Sequence, residues 1–270
     1  MVGLKQARTD MKRTQSHMYA PERQQEILRL AQKQGRVDVP TLAEDFGVTQ
    51  ETIRRDLSAL DRAGLLHRVH GGALPAGALH LEPGLAERDS TAATEKERIA
   101  KAALALLPAE GSVILDAGTT VSRLAGLLPA DCGLTVVTNA LPVAARLADH
   151  PGLTLHLVGG RLRHRTQAAV DAWALRDLAD VHADVAVIAT NGFSPEGGLS
   201  TPDLAEAAVK RAMLTGARRV VLVADSSKYG ARHFARFGSL DQVDVLVTDT
   251  GLTDEQAAAI ENHGPEVIRA

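Results

Sequence analysis

The sequence predicts two unequal domains: a small helical one carrying a β-hairpin, and a larger α/β one built on a mostly parallel sheet. Three observations predict this. The chain has 270 residues, more than one small module needs. Between residues 18 and 75, three helical apolar patterns lie close together and end near a Gly-Gly pair. Beyond residue 95, six short apolar runs alternate with helical patterns, as strands joined by crossover helices do. At 45% hydrophobic and 23% charged, the composition supplies a sizeable core.

Residues 1–17 read as a disordered basic tail, or as an extension before a start at Met18. They lack the apolar stretch of a signal peptide. Within 18–75, Pro21 opens a first helix with Ile27, Leu28, Leu30 and Ala31 at helical spacing, and Gly35 ends it. Asp38 can cap a second, with Pro40 in its first turn and Leu42, Ala43 and Phe46 inward. Gly47-Val48 is a tight turn. Thr49 caps a third helix, in which Ile53, Leu57 and Leu60 form the buried stripe. The stripe leaves Gln50, Glu51, Arg54, Arg55 and Ser58 on or near the outward side. Gly64 stops the helix, and "LLHRVHGGA" reads as a short strand running to a turn at Gly71-Gly72. Helix, short helix, turn, long helix and wing is the winged helix-turn-helix order. Residues 76–94, rich in Ala, Pro and Gly, read as a linker to an α/β domain at 95–270.

In open α/β sheets, ligands bind beyond the carboxyl ends of the strands. The apolar runs of the larger domain are followed by "DAGTT", "TNA", "GGRLR", "TNG" with "GGLSTPD", "DSSK" and "TD". Gly118 lets backbone approach a ligand, and Thr119 and Thr120 put hydroxyls where a helix begins. Lys228 adds a point charge, while Asp116 and Asn139 can bond sugar hydroxyls. Together they point to a small, polyhydroxylated anion. A plainer reading stands beside this one. Thr119, Thr120, Ser200 and Thr201 also suit simple helix caps, and Asp203, Glu206 and Lys210 suit a solvated salt-bridge face.

Other classes are excluded. Aromatics make up 3%, too few for base-stacking platforms. Cys132 is the single cysteine, so no internal disulfide or Cys-based zinc site can form, and a reducing cytoplasm is expected. No apolar run reaches the ~20 residues of a membrane span. There is no Walker A, dinucleotide fingerprint or nucleophile elbow. His164, His182 and His233 lack ligand spacing, so neither metal nor cofactor is expected. Net charge is −3 and residues 18–75 are balanced, so a DNA role rests on pattern, not bulk charge.

From Met18 on, the chain resembles the DeoR family of bacterial transcriptional regulators. "TIRRDLSALDRAGLLHRVHGGA" is close to the family's N-terminal signature, and "LDAGTT", "VVTNA", "LVGG", "GLSTPD" and "ADSSK" are similar to its effector domain. The resemblance implies a ribose-5-phosphate isomerase/CoA-transferase-like effector fold. It implies DNA contacts from Thr49, Gln50, Glu51, Thr52, Arg54, Arg55, Arg68 and His70. It also implies an effector site of Asp116, Gly118, Thr119, Thr120, Thr138, Asn139, Gly160, Ser200, Thr201, Asp203, Glu206, Lys210 and Lys228. Asp171 departs from the pattern, since many members have glycine there. "MYAPERQQEIL" resembles actinobacterial members that govern fructose and phosphotransferase-system sugars.

The expected protein is therefore a repressor of sugar-metabolism genes, acting as a homodimer or homotetramer on operator DNA. A phosphorylated sugar controls it, with fructose 1-phosphate the first candidate. Two alternatives stay open: a sugar-phosphate isomerase using Asp116, Glu206 and Lys228, and a metabolite-independent architectural DNA binder.

Overall fold

The computed structural model describes residues 19–34, 37–69, 71–75 and 83–270. Gly35 and His70, with residues 1–18 and 76–82, lie outside the described residues. The chain divides into two compact units between Glu82 and Pro83.

In the first unit, α1 (Ala20–Gln34), β1 (Val37–Asp38), α2 (Val39–Phe46), α3 (Gln50–Arg62), β2 (Leu66–Val69) and β3 (Gly72–Pro75) follow one another. The Asp38 carboxylate accepts from Thr41 N–H and caps α2, which ends at Gly47 in the left-handed region, φ 62°. The Thr49 hydroxyl accepts from Thr52 N–H and caps α3. Ile27, Ala31, Leu42, Ile53, Leu57, Leu60 and Leu66 close one core. The three strands pair antiparallel in the order β1-β3-β2, so the wing is laced to the start of α2.

Asp56, unremarked in the sequence, is buried in α3. Its carboxylate takes Arg23 Nε at 2.6 Å and Gln24 Nε2 at 2.9 Å, both from α1. Removing one partner of a buried pair strands the other charge, at about 3–5 kcal/mol. Asp56→Ala is therefore expected to unfold this small unit well before the other, with separate transitions in a thermal scan; a single unshifted transition would refute the role.

The second unit has α4 (Leu85–Ser90), α5 (Ala93–Leu104), β4 (Glu110–Leu115), α6 (Thr119–Ala125), β5 (Gly133–Thr138), α7 (Leu141–Leu147) and β6 (Leu153–Leu157). Then come β7 (Arg161–Arg163), β8 (Ala168–Val170), α8 (Asp171–Leu178), β9 (Ala183–Ala189), β10 (Gly192–Ser194) and β11 (Gly198–Thr201). It ends with α9 (Leu204–Thr215), β12 (Ala217–Val223), β13 (Ala235–Gly238), β14 (Val245–Thr248), α10 (Asp254–Glu261) and β15 (Glu266–Arg269).

Seven strands form one parallel sheet in the order β15-β14-β12-β9-β4-β5-β6. Alternation within each strand feeds two cores. Val113, Leu115, Val185 and Val187 pack with Ile99, Leu124 and Leu147 of α5, α6 and α7. Ile114, Ala186 and Ile188 pack with Leu178, Met213 and Ile260 of α8, α9 and α10. The chain runs outward from β4 in one direction and from β9 in the other. The β4/β9 boundary is therefore the topological switch point, where such folds bind ligands.

Several elements differ from the sequence reading. The stretch assigned to the linker holds α4 and the start of α5. The hairpin β7-β8 and the small antiparallel sheet β10-β11-β13 were not legible as apolar runs. Ser200 and Thr201 lie in β11 and cap nothing; Asp203 caps α9 by accepting from Glu206 N–H at 2.9 Å. Gly118, not Thr119 or Thr120, holds the N-cap position of α6. Asp171, the departure from the resemblance noted above, sits at φ 77°. That left-handed conformation costs an ordinary residue ~1–2 kcal/mol, while the exposed ion pair to Arg161, 2.6 Å, returns little. Asp171→Gly is expected to raise Tm slightly or leave it unchanged; a clear drop would show that the Arg161 pair outweighs the strain.

Candidate functional site

Two regions concentrate functional side chains. On the first unit, α3 buries Ile53, Leu57 and Leu60 and so turns Gln50, Glu51, Arg54 and Arg55 to solvent. The Arg54 and Arg55 side chains are 51% and 80% exposed. Glu51 lies 3.9 Å from Arg54 and 3.4 Å from Arg55, and Gln50 accepts from Arg54 at 3.2 Å. Arg68 on β2 donates to Ser58 Oγ at 3.0 Å, which ties the wing to the same face. Thr49 and Thr52 share a hydroxyl contact at the helix start. A capped helix with outward arginines beside a β-wing is the geometry that enters a DNA major groove.

On the second unit, two adjoining cavities open at the switch point and share Gly118 and Thr119. The larger, about 300 Å³, is walled by Leu85, Ala86 and Asp89 of α4, by Ala140, Pro142, Val143 and Arg146 around α7, and by Thr166 and Gln167 of the β7-β8 turn. The smaller, about 80 Å³, is lined by Arg88, Lys96, Thr120, Thr190, Asp225 and Lys228. A Cβ on Gly118 would come within 2.8 Å of Ala189 Cβ, so glycine lets the β4 loop pack against the end of β9.

Lys96 escaped the sequence reading. It is buried, and burial pushes its ammonium down to about 8; Asp225 opposes that, while Lys228, Arg88 and Arg123 reinforce it. Of these groups, Arg88, Lys96 and Lys228 line the smaller cavity with one carboxylate, Asp225.

Of the residues drawn from the sequence, Gly118, Thr119, Thr120 and Lys228 line the cavities. The others lie around them with protein partners. Asp116 accepts from Ala189 N–H at 2.9 Å and forms a buried pair with Lys210, whose ammonium also donates to Ala189 O at 2.9 Å. Glu206 accepts from Arg163 at 3.1 Å, from Thr201 at 3.3 Å and from Thr166; Asp203 pairs with Arg163 at 3.2 Å. These bonds anchor the hairpin whose turn overhangs the larger cavity. Thr138 donates to Leu115 O, and Asn139 Nδ2 donates to Ala169 O while its Oδ1 is buried without a partner among the described residues. Ser200 accepts from His233 N–H and donates to Gly192 O. A Cβ on Gly160 would strike Val170 O at 2.6 Å, which makes that glycine a packing requirement.

A groove-reading head and a separate small-molecule cavity define a ligand-responsive DNA-binding protein, and the comparisons agree. Residues 23–76 match the DeoR-like helix-turn-helix domain, and residues 91–250 match the DeoR C terminal sensor domain. The chain is 36% identical to the HTH-type transcriptional regulator GlpR of Haloferax volcanii, over 93% of this chain and 98% of that one. It is 34% identical to the glycerol-3-phosphate regulon repressor of Escherichia coli, over 88% and 92%. The chain belongs to the DeoR family of transcriptional regulators. It is a regulator, not an isomerase. Among solved structures it is similar to ribose 5-phosphate isomerase A of Methanocaldococcus jannaschii (TM-score 0.39, 13% identity, 52% of this chain and 55% of that one). It is also similar to the sorbitol operon regulator SorC of Klebsiella pneumoniae (TM-score 0.33, 14%, 78% and 91%). Among the described residues, no helix is long and apolar enough to cross a membrane.

Proposed function

We propose that the protein is a cytoplasmic repressor of sugar-metabolism genes whose operator affinity is set by a sugar phosphate in the switch-point cavity. The observation that carries this is the cluster of Lys96, Lys228 and Arg88 around a small lobe that adjoins a larger, mainly apolar one. The phosphate fits the cationic lobe, and the carbon chain fits the larger. The larger lobe sits at the lower end of ordinary ligand pockets, ~300–1,000 Å³, which suits a sugar. A glycerol-3-phosphate regulon repressor among the relatives supports the chemical class; fructose 1-phosphate remains the first compound to try. Exposed Trp173 and Phe234 give the sensor domain apolar surface for contacts between copies. Such contacts are needed because one winged module buries too little for strong specificity.

A thermal-shift panel of sugar phosphates tests the reading. The effector adds ~2.7 kcal/mol of apparent stability at a hundred times its Kd. Lys228→Ala should abolish that shift and the operator response while leaving operator binding without effector unchanged. An unaltered titration would show that Lys228 is a bystander.

A further inference from the structure

One short segment faces both lobes. α4 and its flanks supply Leu85, Ala86 and Asp89 to the larger lobe, and Pro83, Arg88 and Thr91 to the smaller. α4 itself buries none of its residues, so the core does not anchor it. Polar ties hold it instead. Lys96 Nζ donates to the Arg88 and Thr91 carbonyls at 2.5 Å each. Arg123 Nη2 donates to Asp89 O at 2.8 Å and meets the Asp89 carboxylate at 2.9 Å. Arg123 Nε is buried with no hydrogen-bond partner among the described residues. The corner between α4 and α5 is Ala92, at φ 50°, a conformation an alanine adopts only under constraint.

Both ties are cations, and both feel the charges at the small lobe. Around the Lys96 ammonium stand Arg88, Arg123 and Lys228, against the carboxylate of Asp225. An ammonium has three N–H donors, and here two are given to the carbonyls of this segment. A phosphate entering the lobe competes for those donors through stronger, charge-assisted bonds. It also attracts Arg88, which rides on α4.

We propose that Pro83–Ala92 is the reporting element of the sensor: an anion held by Lys96, Lys228 and Arg88 re-seats α4, and the shift passes along the chain to the DNA-binding domain. Only residues 76–82 lie between that domain's last strand and Pro83. The inference rests on the sugar-phosphate reading above. It meets the requirement that a ligand shift an equilibrium only through interactions that differ between its two states.

Hydrogen-exchange mass spectrometry on the full chain tests it, with fructose 1-phosphate, glycerol 3-phosphate and inorganic phosphate as probes. The expected result is altered protection both at Gly118–Ser122 and at Glu87–Lys96. A change confined to Gly118–Ser122 would overturn the inference and leave the effector pocket standing. No change at either stretch with any probe would overturn both.

Arg123→Met adds a functional arm, because it unties Asp89 without removing a cavity-lining residue. The sugar-phosphate Kd should stay within about threefold of wild type. The effector-induced change in operator Kd, ordinarily ~5–150-fold, should fall to about twofold or less. A full operator response in the folded variant would overturn the inference. Calorimetry at pH 8 in buffers of different ionisation enthalpy reads proton uptake on binding. Burial holds the Lys96 ammonium down at about 8, and a bound dianion favours the charged form. Net proton uptake is expected; no uptake would remove Lys96 from the device.

Discussion

Replacing Arg54 and Arg55 together by alanine is expected to lower operator affinity by about 30-fold to 10⁴-fold, at ~1–3 kcal/mol for each arginine that reads a base. Thermal stability should hardly change. The two side chains are exposed, and their pairs with Glu51 are surface pairs worth ~0–1 kcal/mol. The salt dependence of binding should flatten, its slope falling by about one for each arginine that neutralises a phosphate. Because residues 18–75 carry no net charge, this domain has no basic smear to compensate. Glu51 makes the case sharper. In the free protein its carboxylate partly neutralises both arginines; on DNA they must exchange it for phosphate or base edges. Glu51→Gln should therefore strengthen non-specific binding while Arg54→Ala with Arg55→Ala weakens the specific kind. A gel shift unmoved by the double substitution would remove α3 from the interface.

The headpiece was legible because local rules act there one at a time. Thr49 and Asp38 cap the helices they precede, and the stripe of Ile53, Leu57 and Leu60 fixes which side of α3 faces out. The parallel sheet was legible for the same reason, since strands buried on both faces read as apolar runs. What escaped were charges on buried stripes. Asp56 stands three residues after Ile53, in the spacing Ile53, Asp56, Leu57, Leu60. Lys96 begins the stripe Lys96, Ile99, Ala100, Ala103. Glu206 and Lys210 share one with Val209 and Met213, although sequence alone also allowed them a solvated face. A charge in phase with an apolar stripe is a buried charge, and a buried charge needs a partner. The spacing was visible in each case. The partners were not, because Arg23, the Arg88 and Thr91 carbonyls, Asp116 and Arg163 arrive from other elements. α4 was hidden for the opposite reason: with no buried residue, it has no apolar period to read.

Breaking the pair Asp116–Lys210 is expected to destabilise the sensor domain strongly. Lys210 reaches from α9 to the switch point, with its ammonium on Asp116 and on Ala189 O, and stands 5.6 Å from the Phe237 ring centroid. It thus ties the end of β4 to the end of β9, the two loops that floor the cavities. Both side chains are nearly inaccessible, 6% for Lys210 and 1% for Asp116. Asp116→Ala would leave a buried ammonium whose remaining oxygen partner among the described residues is the Ala189 carbonyl. Loss of one member of such a pair costs about 3–5 kcal/mol. Lys210→Met would strand the carboxylate with the Ala189 N–H and should cost nearly as much. The double variant Asp116→Ala with Lys210→Met removes both charges, and its destabilisation should fall well below the sum of the singles. That non-additivity, measured by denaturant unfolding monitored in the sensor domain, separates a structural pair from two ligand-binding residues. Residues that only touched effector would leave unfolding in its absence unmoved and would shift only the sugar-phosphate titration. Additive effects would mean that the two charges act apart and that the switch point is held together by something else.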